Sequence, residues 1–136
     1  MRLSAKCRCG IRVLIDLADF YDQGPEQVSR ISERQNISVK YLEQLIRPLK
    51  KAELIESVRG PKGGHMLSKN PAEITLGQIA RVLDYQDKPE DCYCNEDKCF
   101  TVDTCKLRKS WQQAETVFYK ELDQTTIAEL MGECCK

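Results

Sequence analysis

The chain has 136 residues, 41% of them hydrophobic and 31% charged, which is ordinary for a soluble domain with one core and no need of covalent cross-links. No apolar run nears the roughly 18 residues a membrane helix needs, and Asp16 and Asp19 interrupt "IRVLIDLADF", which excludes a secretory apolar region; a cytoplasmic protein without a membrane partner is expected. The formal net charge is zero, yet residues 1–70 carry 13 Lys+Arg against 8 Asp+Glu and residues 71–136 carry 8 against 13, so a basic front half suited to a polyanion precedes an acidic rear half.

In chain order, Ser4 caps a helix predicted to run to about Tyr21, with Ile11, Leu14, Ile15 and Ala18 at helical spacing. "QGP" at 23–25 breaks it, and a short helix over about 26–35 carries Val28 and Ile31 and ends at Asn36. Ser38 caps the next helix, where Val39, Leu42, Leu45, Ile46 and Leu49 recur at the 3–4 spacing of a buried face. Pro48 falls inside that pattern and predicts a bend or break near Ile46–Arg47. Extended runs at Ile55–Arg59 and His65–Leu67 flank "GPKGG", a hairpin with a glycine-rich tip. Thr75 then caps "TLGQIARVLD", with Leu76, Ile79, Val82 and Leu83 on one face. A polar, cysteine-rich segment follows over about 84–105. From Thr104 a long helix carries Leu107, Trp111, Ala114, Phe118 and Leu122 along a stripe that suits a partner-facing seam better than a lone surface helix, with Trp111 as seam packing. "TTIAELM" predicts a short capped helix, and "GECCK" a tail.

Two short helices, a turn, a second helix and a glycine-rich hairpin together predict a mainly α fold, a winged helix-turn-helix with a small β-hairpin wing and a long C-terminal dimerisation helix. The expected partition is 1–83 for DNA binding, 84–106 for the cysteine-rich loop and 107–136 for the dimerisation helix and tail. In a helix-turn-helix the first residues of the second helix enter the major groove, where each base pair shows a distinct pattern of donors and acceptors. Here these are Ser38, Val39, Lys40, Tyr41, Glu43 and Gln44. Lys40 and Tyr41 suit phosphates, Glu43 or Gln44 a base edge, and Ser38 is partly committed to capping. Arg59 and Lys62 on the hairpin suit a phosphate or the minor groove. With one histidine in the chain, no catalytic set assembles, and no enzyme is expected.

The segments "MRLSAK", "SVKYLEQLIRPLKKAELIESVRGPKGGHMLSKNPAEITLGQIARVL" and "LDQTTIAEL" resemble the Rrf-two (Rrf2) family of bacterial winged-helix regulators over nearly the whole chain. The resemblance implies a homodimer on a pseudo-palindromic double-stranded DNA operator, joined through the long helix. It places DNA contacts at Ser38, Lys40, Tyr41, Glu43, Gln44, Arg59, Gly60 and Lys62, with Arg2 as a further phosphate contact. It also implies, as in many members, an iron–sulfur cluster in the loop before the long helix. The chain departs from the family pattern at Cys7 and Cys9, where a small residue and an aromatic are usual. It departs again at His65, where tyrosine is common; a solvent-exposed, tolerated change is expected there rather than a metal ligand.

In a reducing compartment eight cysteines point to metal or redox chemistry rather than disulfides. The loop spacing C-x-C-x4-C-x5-C has neither two zinc knuckles nor ferredoxin spacing. Its nearest match is the three-cysteine loop of the cluster-binding regulators, which takes Cys99 and Cys105 with Cys92 ahead of Cys94 as the first ligand. Some members complete the site with a histidine after the third cysteine, but "CKLRKSW" has none; others use an acidic residue near the N-terminus, where this chain has Arg8. The fourth ligand is therefore Cys94, or else Cys7 or Cys9 of the partner subunit, with the loop cysteine preferred. The expected cofactor is an iron–sulfur cluster, 2Fe–2S ahead of 4Fe–4S, with structural zinc the alternative and a disulfide a weaker one. Cys134 and Cys135 read as tail thiols. The expectation is a transcriptional repressor whose operator affinity follows a cluster that senses redox, iron or cluster status, or nitric oxide. The alternatives are a zinc-stabilised or thiol-switch regulator of the same fold, or, in a different class, a small iron–sulfur electron carrier or assembly partner that does not bind DNA.

Overall fold

The computed structural model describes residues 2–84 and 105–133. Its elements are α1 (Ala5–Asp19), α2 (Val28–Gln35), α3 (Val39–Lys51), β1 (Ile55–Val58), β2 (Gly64–Leu67), a 3-10 turn at Pro71–Glu73, α4 (Leu76–Leu83), α5 (Lys106–Leu122) and α6 (Ile127–Glu133). Three N-caps expected from the sequence form. Ser4 Oγ accepts from the Cys7 amide, Ser38 Oγ from the Tyr41 amide, and Thr75 with Gln78 closes a reciprocal capping box. A second such box, between Thr126 and Glu129, starts α6.

Helix α2 starts at Val28 and ends where Asn36 adopts the left-handed conformation, which an Asn tolerates well. Glu26, expected in this helix, instead pairs through its backbone with His65 of β2, with both N···O distances 2.8 Å. This contact requires Gly64, because a Cβ there would lie 2.2 Å from the Glu26 carbonyl oxygen. Helix α3 is not broken at Pro48 and runs for 13 residues. The hydrogen bond the proline cannot make would fall on the carbonyl of Gln44, an exposed residue that water can serve, while buried Leu45, Ile46 and Leu49 hold the last turns to the core.

The core gathers Val13, Leu14 and Leu17 of α1, Ile31 of α2, Leu42, Leu45, Ile46 and Leu49 of α3, Ile55 and Leu67 of the hairpin, Ile79 and Leu83 of α4, and Ile127 of α6. One point differs from the sequence expectation. On α1 the fully buried positions include Val13, Leu17 and Asp16, while Ile11 and Ile15 are half-buried, because α1 packs against α2, α4 and α6 rather than against one neighbour. Helix α6 forms where a short capped helix was expected and is tied back to the body: the Ile127 amide donates to the Ile74 carbonyl at 2.9 Å and the Leu76 amide to the Thr125 carbonyl at 2.9 Å. The chain after α5 therefore returns to the body formed by residues before 84.

Among the described residues Asp16 is the buried charge, and it is paired. Arg34 donates to its two oxygens at 2.9 and 2.7 Å, and Gln35 adds a third bond at 3.1 Å. The same guanidinium lies 2.8 Å from Glu26 Oε2, a charge contact rather than an aligned hydrogen bond, and 4.5 Å from the centre of the Phe20 ring. These two carboxylates raise the Arg34 pKa further. Through Arg34, α1 and α2 are joined to the residue that pairs with the wing.

Candidate nucleic-acid interface and cysteine segment

Burial of Leu42, Leu45, Ile46 and Leu49 fixes the rotation of α3 and leaves Lys40, Glu43, Gln44 and Arg47 exposed along the opposite side. Ser38 is exposed and its oxygen accepts from the Tyr41 amide at 3.2 Å, which leaves its hydroxyl proton and second lone pair uncommitted. Two residues differ from their expected surroundings. Tyr41, assigned to a phosphate, is half-buried and packs against the core. Val39, counted in the buried stripe, is 44% exposed, because the packed surface begins one turn later at Leu42.

The wing follows directly. β1 and β2 are antiparallel, in the register Ile55–Leu67 to Val58–Gly64, and β1 packs on α3. The Gly63 amide donates to the Gly60 carbonyl at 2.9 Å, closing a turn in which Pro61 has the favoured second position and Gly60 takes φ +118, a conformation that side chains rarely adopt. Arg59, Gly60 and Lys62 are all exposed at this tip, and Arg2 is exposed ahead of α1.

His65 is not the exposed surface residue expected. It is half-buried on β2, its Nδ1 lies 2.9 Å from Ser57 Oγ, and its main chain holds Glu26. Burial and the nearby Lys50 of α3 lower its pKa, against a smaller opposing pull from Glu43. The imidazole is therefore engaged within the wing, against Ser57 of β1.

Of the expected metal ligands, Cys92, Cys94 and Cys99 lie outside the described residues, as do Cys134 and Cys135. Cys105 is half-buried at the N-cap of α5, and its side chain makes no capping hydrogen bond. Cys7 is fully buried in the core, where burial and the adjacent Asp84 push its thiol up to about 12. Cys9 is half-buried beside the same core. Among the described residues, no group of three or more His, Cys, Asp or Glu side chains is placed to hold a metal ion.

The two ends of the cysteine segment are anchored differently. At its start Asp84 closes α4, and its carboxylate accepts the Ser4 amide at 3.1 Å and the Ser4 hydroxyl through a short bond. Ser4 in turn caps α1, so one hydroxyl ties the segment's root to the first helix. Near the far end of α5, Arg81 donates to both oxygens of Asp123 at 2.6 and 2.7 Å and lies over the Tyr119 ring at 5.0 Å. The guanidinium holds the Asp123 carboxyl below its ordinary range. These contacts clamp the end of α5 to α4. No periodicity signals the Ser4–Asp84 or Arg81–Asp123 pair, since each joins residues at least 42 positions apart. The segment-facing end of α5 is bare by contrast: Leu107 is 72% and Trp111 55% exposed, and Val117 further along is 66% exposed.

A helix-turn-helix with an exposed reading face, followed by a cation-tipped wing, defines a winged-helix transcription regulator. The Rrf2 family model, described as an iron-dependent transcriptional regulator, matches residues 3–133. The protein named rrf2 from Nitratidesulfovibrio vulgaris is 36% identical over 133 residues, 98% of this chain and 89% of that one. Among solved structures, the IscR of T. potens superimposes with a TM-score of 0.77 at 33% identity, covering 98% of this chain and 88% of that one. CymR, the global cysteine regulator of B. subtilis, gives 0.76 at 31% identity and 98% of both chains. The chain belongs to the Rrf2 family. It is a regulator rather than an enzyme, and the electron-carrier alternative falls with this membership. Among the described residues, no helix is long and apolar enough to cross a membrane.

Proposed function

We propose that the chain is a cytoplasmic, homodimeric repressor whose operator affinity is set by a group bound at its cysteine segment. The DNA-facing set is Ser38, Lys40, Glu43 and Gln44 on α3 with Arg59, Gly60 and Lys62 on the wing and Arg2 ahead of α1; half-buried Tyr41 adds at most its hydroxyl. The exposed Leu107 and Trp111, one turn apart on α5, are where a second copy packs. The observation that carries the regulatory part is how the segment joins the body. It leaves α4 at Asp84, held by the residue that caps α1, and rejoins the chain at Cys105, the N-cap of α5. Whatever gathers its thiols sets how α5 stands on the DNA-binding body, and a homodimer reads two half-sites at a separation fixed by that setting.

Cys105 fits a metal or cluster ligand: it is half-buried, uncommitted to its helix cap and continuous with the segment holding Cys92, Cys94 and Cys99. Cys7 does not fit, since its thiol is enclosed and held protonated. This favours Cys94 as the fourth sulfur, with Cys9 of the partner subunit the remaining alternative. An iron–sulfur cluster would supply redox- or ligand-dependent retention of those thiolates. The likeness to CymR favours a second reading, in which the cysteines act as a thiol switch without a cluster. Anaerobic purification with iron, zinc and sulfide counts and an absorbance spectrum separates the two. Iron and sulfide with visible bands support the cluster. A colourless protein loaded with zinc, or one without metal whose thiols oxidise reversibly, overturns it.

A further inference from the structure

We infer that Val39 reads the C5-methyl group of a thymine in the operator, making it a specificity-determining residue of the first turn of α3. The inference deepens the DNA-binding reading above and rests on it. Val39 is exposed where neither packing nor local preference calls for a valine. Leu42, Leu45, Ile46 and Leu49 anchor the helix without it, and a β-branched residue in a helix is a poorer choice than the straight-chain residues around it. The five large apolar side chains exposed among the described residues fall into groups. Leu107, Trp111 and Val117 share α5, Val58 lies at the end of β1, and Val39 stands in the turn that a helix-turn-helix presents to base edges.

The neighbours of Val39 on α3 that face solvent are Lys40, Glu43, Gln44 and Arg47, so it is not part of an apolar patch that a protein partner would cover. Tyr41, the other non-charged bulky side chain of this turn, is directed to the core. A valine has no donor or acceptor and cannot distinguish bases by hydrogen bonding. The one apolar feature on the major-groove edge of a base pair is the thymine methyl. Glu43, one turn on, suits the amino group of a cytosine, so the two side chains would read different bases.

Binding sites selected from a random duplex pool with the full-length dimer provide the probe. Each thymine of the enriched site is then replaced singly by deoxyuracil, which removes the methyl and leaves the pairing edge unchanged. Wild-type protein is expected to lose about four-fold in affinity at one thymine per half-site, which corresponds to about 0.8 kcal/mol, the worth of one buried methylene. Val39→Ala should lose less than about two-fold at that position, while Val39→Ile should keep the wild-type sensitivity; unchanged circular dichroism checks that both variants fold. If uracil is tolerated at every position by the wild type, or if Val39→Ala is equally sensitive, the inference is wrong although DNA binding stands. If no sequence is enriched and binding shows no salt dependence, the DNA-binding reading itself fails.

Discussion

Helices α3 and α5 are the two on which the proposed function depends, and they are stabilised in opposite ways. In α3, 13 residues carry a side-chain N-cap and four fully buried aliphatic residues, so the chain itself fixes how the reading face points. In α5, 17 residues include no buried one, the N-cap makes no side-chain bond, and among the described residues the helix is held by the C-terminal clamp of Arg81, Asp123 and Tyr119 and by Leu122 packed against the core. The difference separates a rigid reading head from an arm whose position is completed by something else. A second subunit on the apolar face and bound thiols at the N-terminal end are the two contributions proposed here.

The largest expected effect lies in the head. Leu45→Ala removes a fully buried side chain beneath the reading helix and should cost about 2–5 kcal/mol in denaturant unfolding. Trp111→Ala on the arm should leave the fold intact and weaken self-association by about 2 kcal/mol, or ~30-fold, in sedimentation equilibrium. An unchanged dissociation constant would remove α5 from the interface. A gain is expected at Glu53, which holds the left-handed conformation (φ 61) between α3 and β1: Glu53→Gly should raise stability by about 1 kcal/mol.

The smallest effect concerns pH. Because the folded chain lowers the His65 pKa, the unfolded chain takes up the proton first as pH falls through about 6.5. The unfolded state then binds more protons, and stability falls with acidification; above that value the contribution disappears. As His65 is the chain's one histidine, His65→Gln should flatten this part of the curve between about pH 7.5 and 5.5, read from urea midpoints.

Local chemistry made much of the head legible. Ser38, Thr75, Asn36 and the "GPKGG" turn each act within four residues, and they mark the elements where they stand. What needed the fold was of another kind. The 3–4 periodicity of α3 put Val39 with the buried stripe, because periodicity gives an angle around the helix and does not say where the opposing surface ends. Asp16 read as an interruption of an apolar run, and only the approach of α2 supplies the arginine that makes its burial tolerable. His65 read as a surface substitution because its pairing with Glu26 joins residues 39 positions apart. The roles of Cys92, Cys94, Cys99 and Cys105 rest on their spacing and on the family, with the surroundings of Cys105 and the burial of Cys7 as the structural contribution.

The central claim is that the state of the cysteine segment sets operator affinity. Its most direct measurement is the dissociation constant for the selected operator at one fixed salt concentration, taken anaerobically on one preparation before and after chelation of its bound metal, with Cys105→Ala alongside. A change of about tenfold or more on metal removal, reproduced by Cys105→Ala, is expected for a coupling of typical size. Equal affinities in all three would contradict the claim and leave the segment without a regulatory role.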